Sequence, residues 1–297
     1  MAVGFPTPLF GINIHTRMRP DVDLVAEALH AEQLRFDIVT LHGDVLHGTA
    51  PSYETWTLLT WLAARTTHIR FAPVVLALPN RHPAVLAKMA ETLDRLSDGR
   101  LVLTLGSGAA INEPAYRAFG LAQRSPREKV AALEEAIDML RGLWSTSSFS
   151  YAGRHFQTEG ATIEPKPRHP IPIWMGVFGD RMVDLVGRKA DGWLPTFQFL
   201  APEQAYRKLE RIRKVAEEAG RNPDDMTYAY NVPVLVEAGS STSRGQIAGS
   251  VAEVARQLAD LVRHGFTVLN LWPGGVAATQ RERLAREVLP TVRELLA

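Results

Sequence analysis

Short apolar runs rich in β-branched residues alternate along this chain with longer segments whose apolar positions recur every three to four residues. That alternation predicts βα units around a parallel sheet. The runs at 9–14, 37–41, 69–77, 101–105, 171–176, 192–196, 227–236 and 267–272 read as strands, about eight in all, the number that closes a barrel. The amphipathic segments at 22–32, 53–65, 83–96, 127–144, 181–189, 202–219, 251–264 and 279–295 read as the helices between and after them. Some ends are marked: Ser97-Asp98-Gly99 closes one helix on a left-handed glycine, and Ser125-Pro126 opens the next with a cap and a first-turn proline.

The fold class is therefore α/β, a (β/α)8 TIM barrel forming one domain over 1–297, with insertion segments at the C-terminal face. The rival, an open doubly wound sheet, opens with a glycine-rich phosphate loop after its first strand. Here the first strand runs into Asn13-Ile14-His15-Thr16 instead. The segment 145–172 breaks the rhythm: FSYAGRHFQ reads as a hairpin around Ala152-Gly153, followed by the proline-broken EPKPRHPIP. It holds too little apolar material for a core of its own, so it reads as an insertion. With the Gly/Ser-rich loop at 237–249 it is a candidate lid.

Composition narrows the function. A formal charge of +1, from 33 basic and 32 acidic residues, leaves no field to gather nucleic acid or anionic lipid. With no cysteine there is no disulfide, thiolate nucleophile or iron–sulfur ligand, which suits a reducing cytosol. The beginning MAVGFPTPLF lacks the basic start and apolar run of a signal peptide, and no membrane-length apolar stretch occurs. The expectation is a cytoplasmic protein acting on a small molecule.

In such a barrel the chemistry sits at the C-terminal ends of the strands. His42 and Asp44 after the second strand, and His15 after the first, are the acid–base candidates; equally, Asp44 could cap a turn and His42 pack on the rim. The glycine-rich ends Gly106-Ser107-Gly108 and Gly176-Val177-Phe178-Gly179-Asp180-Arg181 offer backbone N–H groups to an anion, with Arg181 adding charge. A tight turn explains any one of them as well; together on one face they suit a cofactor with a phosphate at one end and a flat ring at the other. A metal hydrolase fits poorly, because the first strand gives Asn-x-His and no later strand end supplies a carboxylate pair. No G-x-S-x-G elbow is present.

Two blocks carry a family resemblance. Arg81-His82-Pro83-Ala84 with Ala87-Lys88 and Thr92-Leu93-Asp94-Arg95-Leu96-Ser97-Asp98-Gly99-Arg100 is one; Pro172-Ile173-Trp174-Met175-Gly176 through Ala190-Asp191-Gly192-Trp193 is the other. From about Val22 onward the chain resembles the luciferase-like monooxygenase superfamily of flavin- and deazaflavin-dependent barrels. The loop from Gly106 through Asn112 and Glu113 is similar to that of the branch using coenzyme F420.

The resemblance implies a hydride-transferring oxidoreductase with F420 as cofactor, FMN being the alternative cofactor of a monooxygenase, and a flavin-binding relative without catalysis a further alternative. It implies a non-prolyl cis peptide near Val74-Val75 behind the ring, phosphate contacts from Ser107, Gly108, Gly179 and Arg181, with Gly106, Asn112, Gly176, Phe178 and Asp180 beside them, no metal, and a homodimer. The chain departs from the F420 pattern in reading His42-Gly43-Asp44-Val45 where Asp-His is usual, Ala109 where a glutamate is usual, and Asp184 where a basic residue is usual.

Overall fold

The structure, a computed structural model, describes residues 8–42, 51–243 and 245–297. Its strands are β1 (Leu9–Ile14), β2 (Ile38–Leu41), β3 (Arg70–Pro73), β4 (Leu76–Ala77), β5 (Leu103–Gly106), β6 (Phe149–Ala152), β7 (Gln157–Ala161), β8 (Ile173–Met175), β9 (Gly192–Trp193), β10 (Thr227–Val236), β11 (Ile247–Gly249) and β12 (Val268–Pro273). Its helices are α1 (Leu24–Gln33), α2 (Thr55–Ala63), α3 (Pro83–Leu96), α4 (Glu113–Ala118), α5 (Pro126–Ser145), α6 (Asp180–Lys189), α7 (Pro202–Glu218), α8 (Val251–Arg263), α9 (Ala277–Arg283) and α10 (Leu289–Leu296).

The main sheet is parallel and runs β3-β2-β1-β12-β10-β9-β8-β5-β4, with β11 added to β10. Its ends meet: Phe71 N–H donates to Arg100 O and Val102 N–H to Phe71 O, each at 2.9 Å. β3 and β4 are one strand interrupted at the cis peptide Val74–Val75, so the cylinder is the expected eight-stranded barrel.

Closing a sheet sorts side chains by parity. Leu9, Ile38, Ala72, Val74, Val102, Trp174, Leu194, Ala229 and Val268 fill the lumen as one apolar cluster. Their neighbours Phe10, Val39, Phe71, Leu103, Ile173 and Leu269 face outward and pack under the helices. Capping boxes Ser125/Glu128 and Ser250/Glu253 start α5 and α8, each worth about 1 kcal/mol. The buried Glu32 ties α1 to the entry of β3 by accepting N–H bonds from Thr67, His68 and Ile69 at 2.8–3.0 Å. Burial pushes its carboxyl up, and these three donors more than offset that, leaving it below the usual range.

Some expectations are corrected. The helix expected over 279–295 is broken into α9, a π-helical segment Leu284–Val288 and α10, because Pro290 has no N–H to continue an α ladder. The short α4 and β11 carried too little periodicity to be read. The segment 145–172 holds the antiparallel hairpin β6–β7, and it is strapped down along α5 and α3. Glu135 accepts N–H bonds from Arg154, His155 and Phe156 at 2.8–3.1 Å, while Lys88 and Arg95 donate to Glu164 O and Lys166 O at 2.9 and 2.7 Å. Held at these points along the outside, with Pro167, His169 and Pro172 lining a cleft at the N-terminal ends of the strands, it is a strap and not the insertion at the C-terminal face that was expected.

Candidate active site

The inward parity of β1, β2 and β12 continues past their last lumen residues to His15, His42 and Trp272. The three rings meet at the mouth: His15 and His42 centroids lie 4.7 Å apart, and His42 and Trp272 lie 5.0 Å apart edge to face. Thr55, fully buried at the start of α2, donates its hydroxyl to the His42 carbonyl and anchors the end of β2. Asp44, the third acid–base candidate, lies outside the described residues, as does Gly43.

Across the mouth the wall is apolar. Val75 projects between β5 and β8, its Cγ2 against Gly106 and its Cγ1 against Gly176 so closely that a Cβ on either glycine would overlap it. These two glycines therefore make room for Val75, and the anion-cradle expectation narrows to the residues beyond them. Gly108 has φ +89°, and a Cβ there would also meet Pro79 Cγ at 3.0 Å. Ser107 is half-buried at this turn, and Asn112 sits at the start of α4 with its N–H on Ala109 O at 3.0 Å.

The second anion-binding candidate is the start of α6. Gly179 is its N-cap and brings no side chain to its first N–H groups, which leaves them to a ligand or solvent. Asp180 turns its carboxylate to Lys208 on α7, with Arg211 3.9 Å away, and the Lys208 bond holds it below the usual carboxylate range. Arg181 is exposed, and Phe178, 40% exposed, lies 5.7 Å from the exposed Phe199.

Residues that no spacing singled out also converge here. Arg81, just after β4, pairs with Glu54 while its Nη1 is buried without a partner among the described residues. Both amide atoms of Asn80 and the Trp272 Nε1 are in the same state. The Arg81–Glu54 pair joins positions 27 apart, so only the fold reveals it. Trp272 could have been found by following the period of two from Val268 through Asn270 within β12.

A cleft of about 840 Å³ lies at the opposite end of the barrel. Its Arg141 and Arg221 are engaged by Asp191 and by the closing carbonyls of α6, a structural duty. Among the described residues no group of three His, Asp or Glu side chains gathers to hold a metal ion, and no helix is long and apolar enough to cross a membrane.

A parallel barrel whose mouth sets a valine wedge against a His–His–Trp cluster, with open helix-start amides alongside, defines a class of barrels that take an elongated ligand at the strand ends. The profile of the luciferase-like monooxygenase family matches residues 15–268, and the chain belongs to that family. It is 31% identical over 236 residues to an F420-dependent glucose-6-phosphate dehydrogenase of Nakamurella multipartita, covering 77% of this chain and 68% of that protein. A protein of the same description from Kineococcus radiotolerans is 33% identical over 175 residues, 59% of this chain and 50% of its own length. Among solved structures, an F420-dependent secondary alcohol dehydrogenase in complex with an F420–acetone adduct superposes with a TM-score of 0.87 at 18% identity, covering 97% of this chain and all 100% of its own. The F420-dependent tetrahydromethanopterin reductase of Methanopyrus kandleri gives 0.79 at 19% identity, over 96% and 99%.

Proposed function

We propose that this chain is an oxidoreductase that passes a hydride between coenzyme F420 and a small organic substrate. The observation that carries the reading is the division of the mouth into an apolar wall at Val74–Val75 and an imidazole–indole wall at His15, His42 and Trp272. The F420-dependent relatives support the choice of a deazaflavin.

The residues present fit such a cofactor. Val75, seated over two glycines, gives a flat ring an apolar surface with no side chain above Gly106 or Gly176. The open amides of α6, with Arg181, Ser107 and Gly108, would hold its phosphate. Bound F420 would supply a two-electron carrier that accepts or returns a hydride. The chain's part is to orient the substrate opposite the valine wall, to exclude water with Trp272 and Phe178, and to hold or move a proton at the His42 ring, with His15 beside it.

Titrating the purified protein with F420 and separately with FMN, followed by absorbance and fluorescence, tests this. Expected is F420 binding at micromolar concentration or tighter, about −8 kcal/mol, with FMN weaker. Failure to bind either sinks the reading, and tight FMN with oxygen consumption assigns the monooxygenase reaction instead.

Two further points belong to the proposal. The chain acts as a homodimer through α2 and α3, whose Trp61, Val85 and Leu96 are 55, 57 and 76% exposed beside a groove formed with Trp56, Met89 and Leu93. It works in the cytosol, in keeping with its lack of cysteine. Sedimentation of the protein and of Trp61→Glu checks the dimer, which the charge should dissociate.

A further inference from the structure

Directly beneath the His15–His42–Trp272 layer, five polar side chains from five neighbouring strand paths form one continuous chain of hydrogen bonds. Asn13 Nδ2 donates to Thr40 O at 3.2 Å and to Thr40 Oγ1 at 3.0 Å. Thr40 Oγ1 donates to Asn270 Oδ1 at 3.0 Å, Asn270 Nδ2 to Asn231 Oδ1 at 2.6 Å, and Asn231 Nδ2 to Thr196 Oγ1 at 3.1 Å. The link from β2 to β12 passes over β1 because Gly11 has no side chain; a Cβ there would stand 3.0 Å from Asn270 Oδ1. In the other half of the lumen, Thr104 Oγ1 and Trp174 Nε1 are buried with no partner among the described residues.

The chain runs in one direction, and its Asn13 end is fixed by a backbone oxygen. The Thr40 backbone oxygen can only accept, so the Asn13 atom facing it is the amide nitrogen. Thr40 Oγ1 accepts from Asn13 and uses its one proton on Asn270 Oδ1, and Asn270 and Asn231 each accept at the carbonyl and donate from the amide in the same direction. At one end this leaves the carbonyl oxygen of Asn13, an acceptor. At the other it leaves the hydroxyl proton of Thr196, a donor. The ends are the members that reach solvent, 6 and 8% exposed against 2% for each of the three between them.

We infer that this chain is the floor of the substrate site and selects a neutral, polyhydroxylated substrate, one that brings a hydroxyl proton to Asn13 and a hydroxyl or carbonyl oxygen to Thr196. The inference rests on the reading of the mouth as a hydride-transfer site. No member of the floor carries charge, and a carboxylate or phosphate at Asn13 would set oxygen against oxygen with no proton between. Breaking a buried pair leaves a polar group unsatisfied, so selection is steep: a substrate lacking the matching group loses binding by roughly tenfold or more. Asn13 and Thr196 thus act as specificity-determining residues, while Thr40, Asn231 and Asn270 are positioning residues that fix which atom each end presents.

The test measures binding of glycerol, glucose and myo-inositol, with cyclohexanol and glucose 6-phosphate as controls, by saturation-transfer NMR on the full chain with and without F420. Expected is at least one neutral polyol bound roughly tenfold or more above cyclohexanol, with no gain from the phosphate. Thr196→Val should remove that preference and Thr196→Ser restore it, with F420 affinity unchanged in both. Equal binding of polyol and cyclohexanol, no binding of any polyol, tighter binding of glucose 6-phosphate than of glucose, or a Thr196→Val effect on F420 alone overturns the inference. Failure of F420 to bind would sink the cofactor assignment and leave the polyol comparison standing, because it is also read without F420.

Discussion

Val75 and Gly106 share one space: a Cβ on Gly106 would overlap Cγ2 of Val75, so the glycine is a condition of the valine's place at the mouth. Gly106→Ala must therefore push Val75 out or shift β5, at a cost of about 1–3 kcal/mol. We expect F420 affinity to fall by roughly tenfold or more. Gly106→Ala with Val75→Ala should recover part of the loss. Titration of the variants checks the set, and an unimpaired Gly106→Ala would remove the wedge from the site.

His42 is placed by Thr55 beneath its carbonyl and by the rings of His15 and Trp272 on either side. His42→Ala should lower kcat by about 10²–10⁴-fold if the ring handles the proton. F420 affinity should change little, because the ring stands on the wall opposite Val75. Single-turnover F420 reduction separates the two effects; full turnover in the variant takes the proton away from His42.

Arg181 is the exposed cation of the first turn of α6, where the neighbouring Asp180 is already engaged by Lys208. Arg181→Ser should weaken F420 binding by roughly threefold to tenfold. The loss should shrink as salt rises, since an exposed charge is screened. Kd values at low and high salt are the readout, and a salt-independent loss would point to packing instead.

Burial pushes the Asp94 carboxyl up to about 6, against the opposing pull of His169 and a backbone bond from Leu101. The neutral form is thus favoured by the fold: the stability it confers is complete below the unfolded value near 3.9 and is lost as pH rises through about 6. Asp94→Asn, which keeps an acceptor and never ionises, should melt above the parent at pH 8 by an amount on the order of 2 kcal/mol and match it near pH 4. Thermal melts at the two values decide it; a variant less stable at pH 8 would contradict the assignment.

Much of this protein was written in local pattern. The apolar runs of β1 and β10 and the cap at Ser125 depend on neighbours a few positions away, so the barrel and several of its element ends could be read directly. His15 and His42 were reachable by the same counting, each being one inward step beyond the last lumen residue of its strand. Tertiary structure alone decided what those residues meet. Gly106 and Gly176 read as strand-end anion cradles until Val75, 31 and 101 positions earlier, is seen between them. The floor from Asn13 to Thr196 joins residues up to 230 positions apart, and one backbone carbonyl fixes which atom its Asn13 end presents. The physical reason is range: helix and strand periodicity is set within a few residues, whereas steric room and hydrogen-bond polarity at the mouth exist only once the sheet has closed on itself.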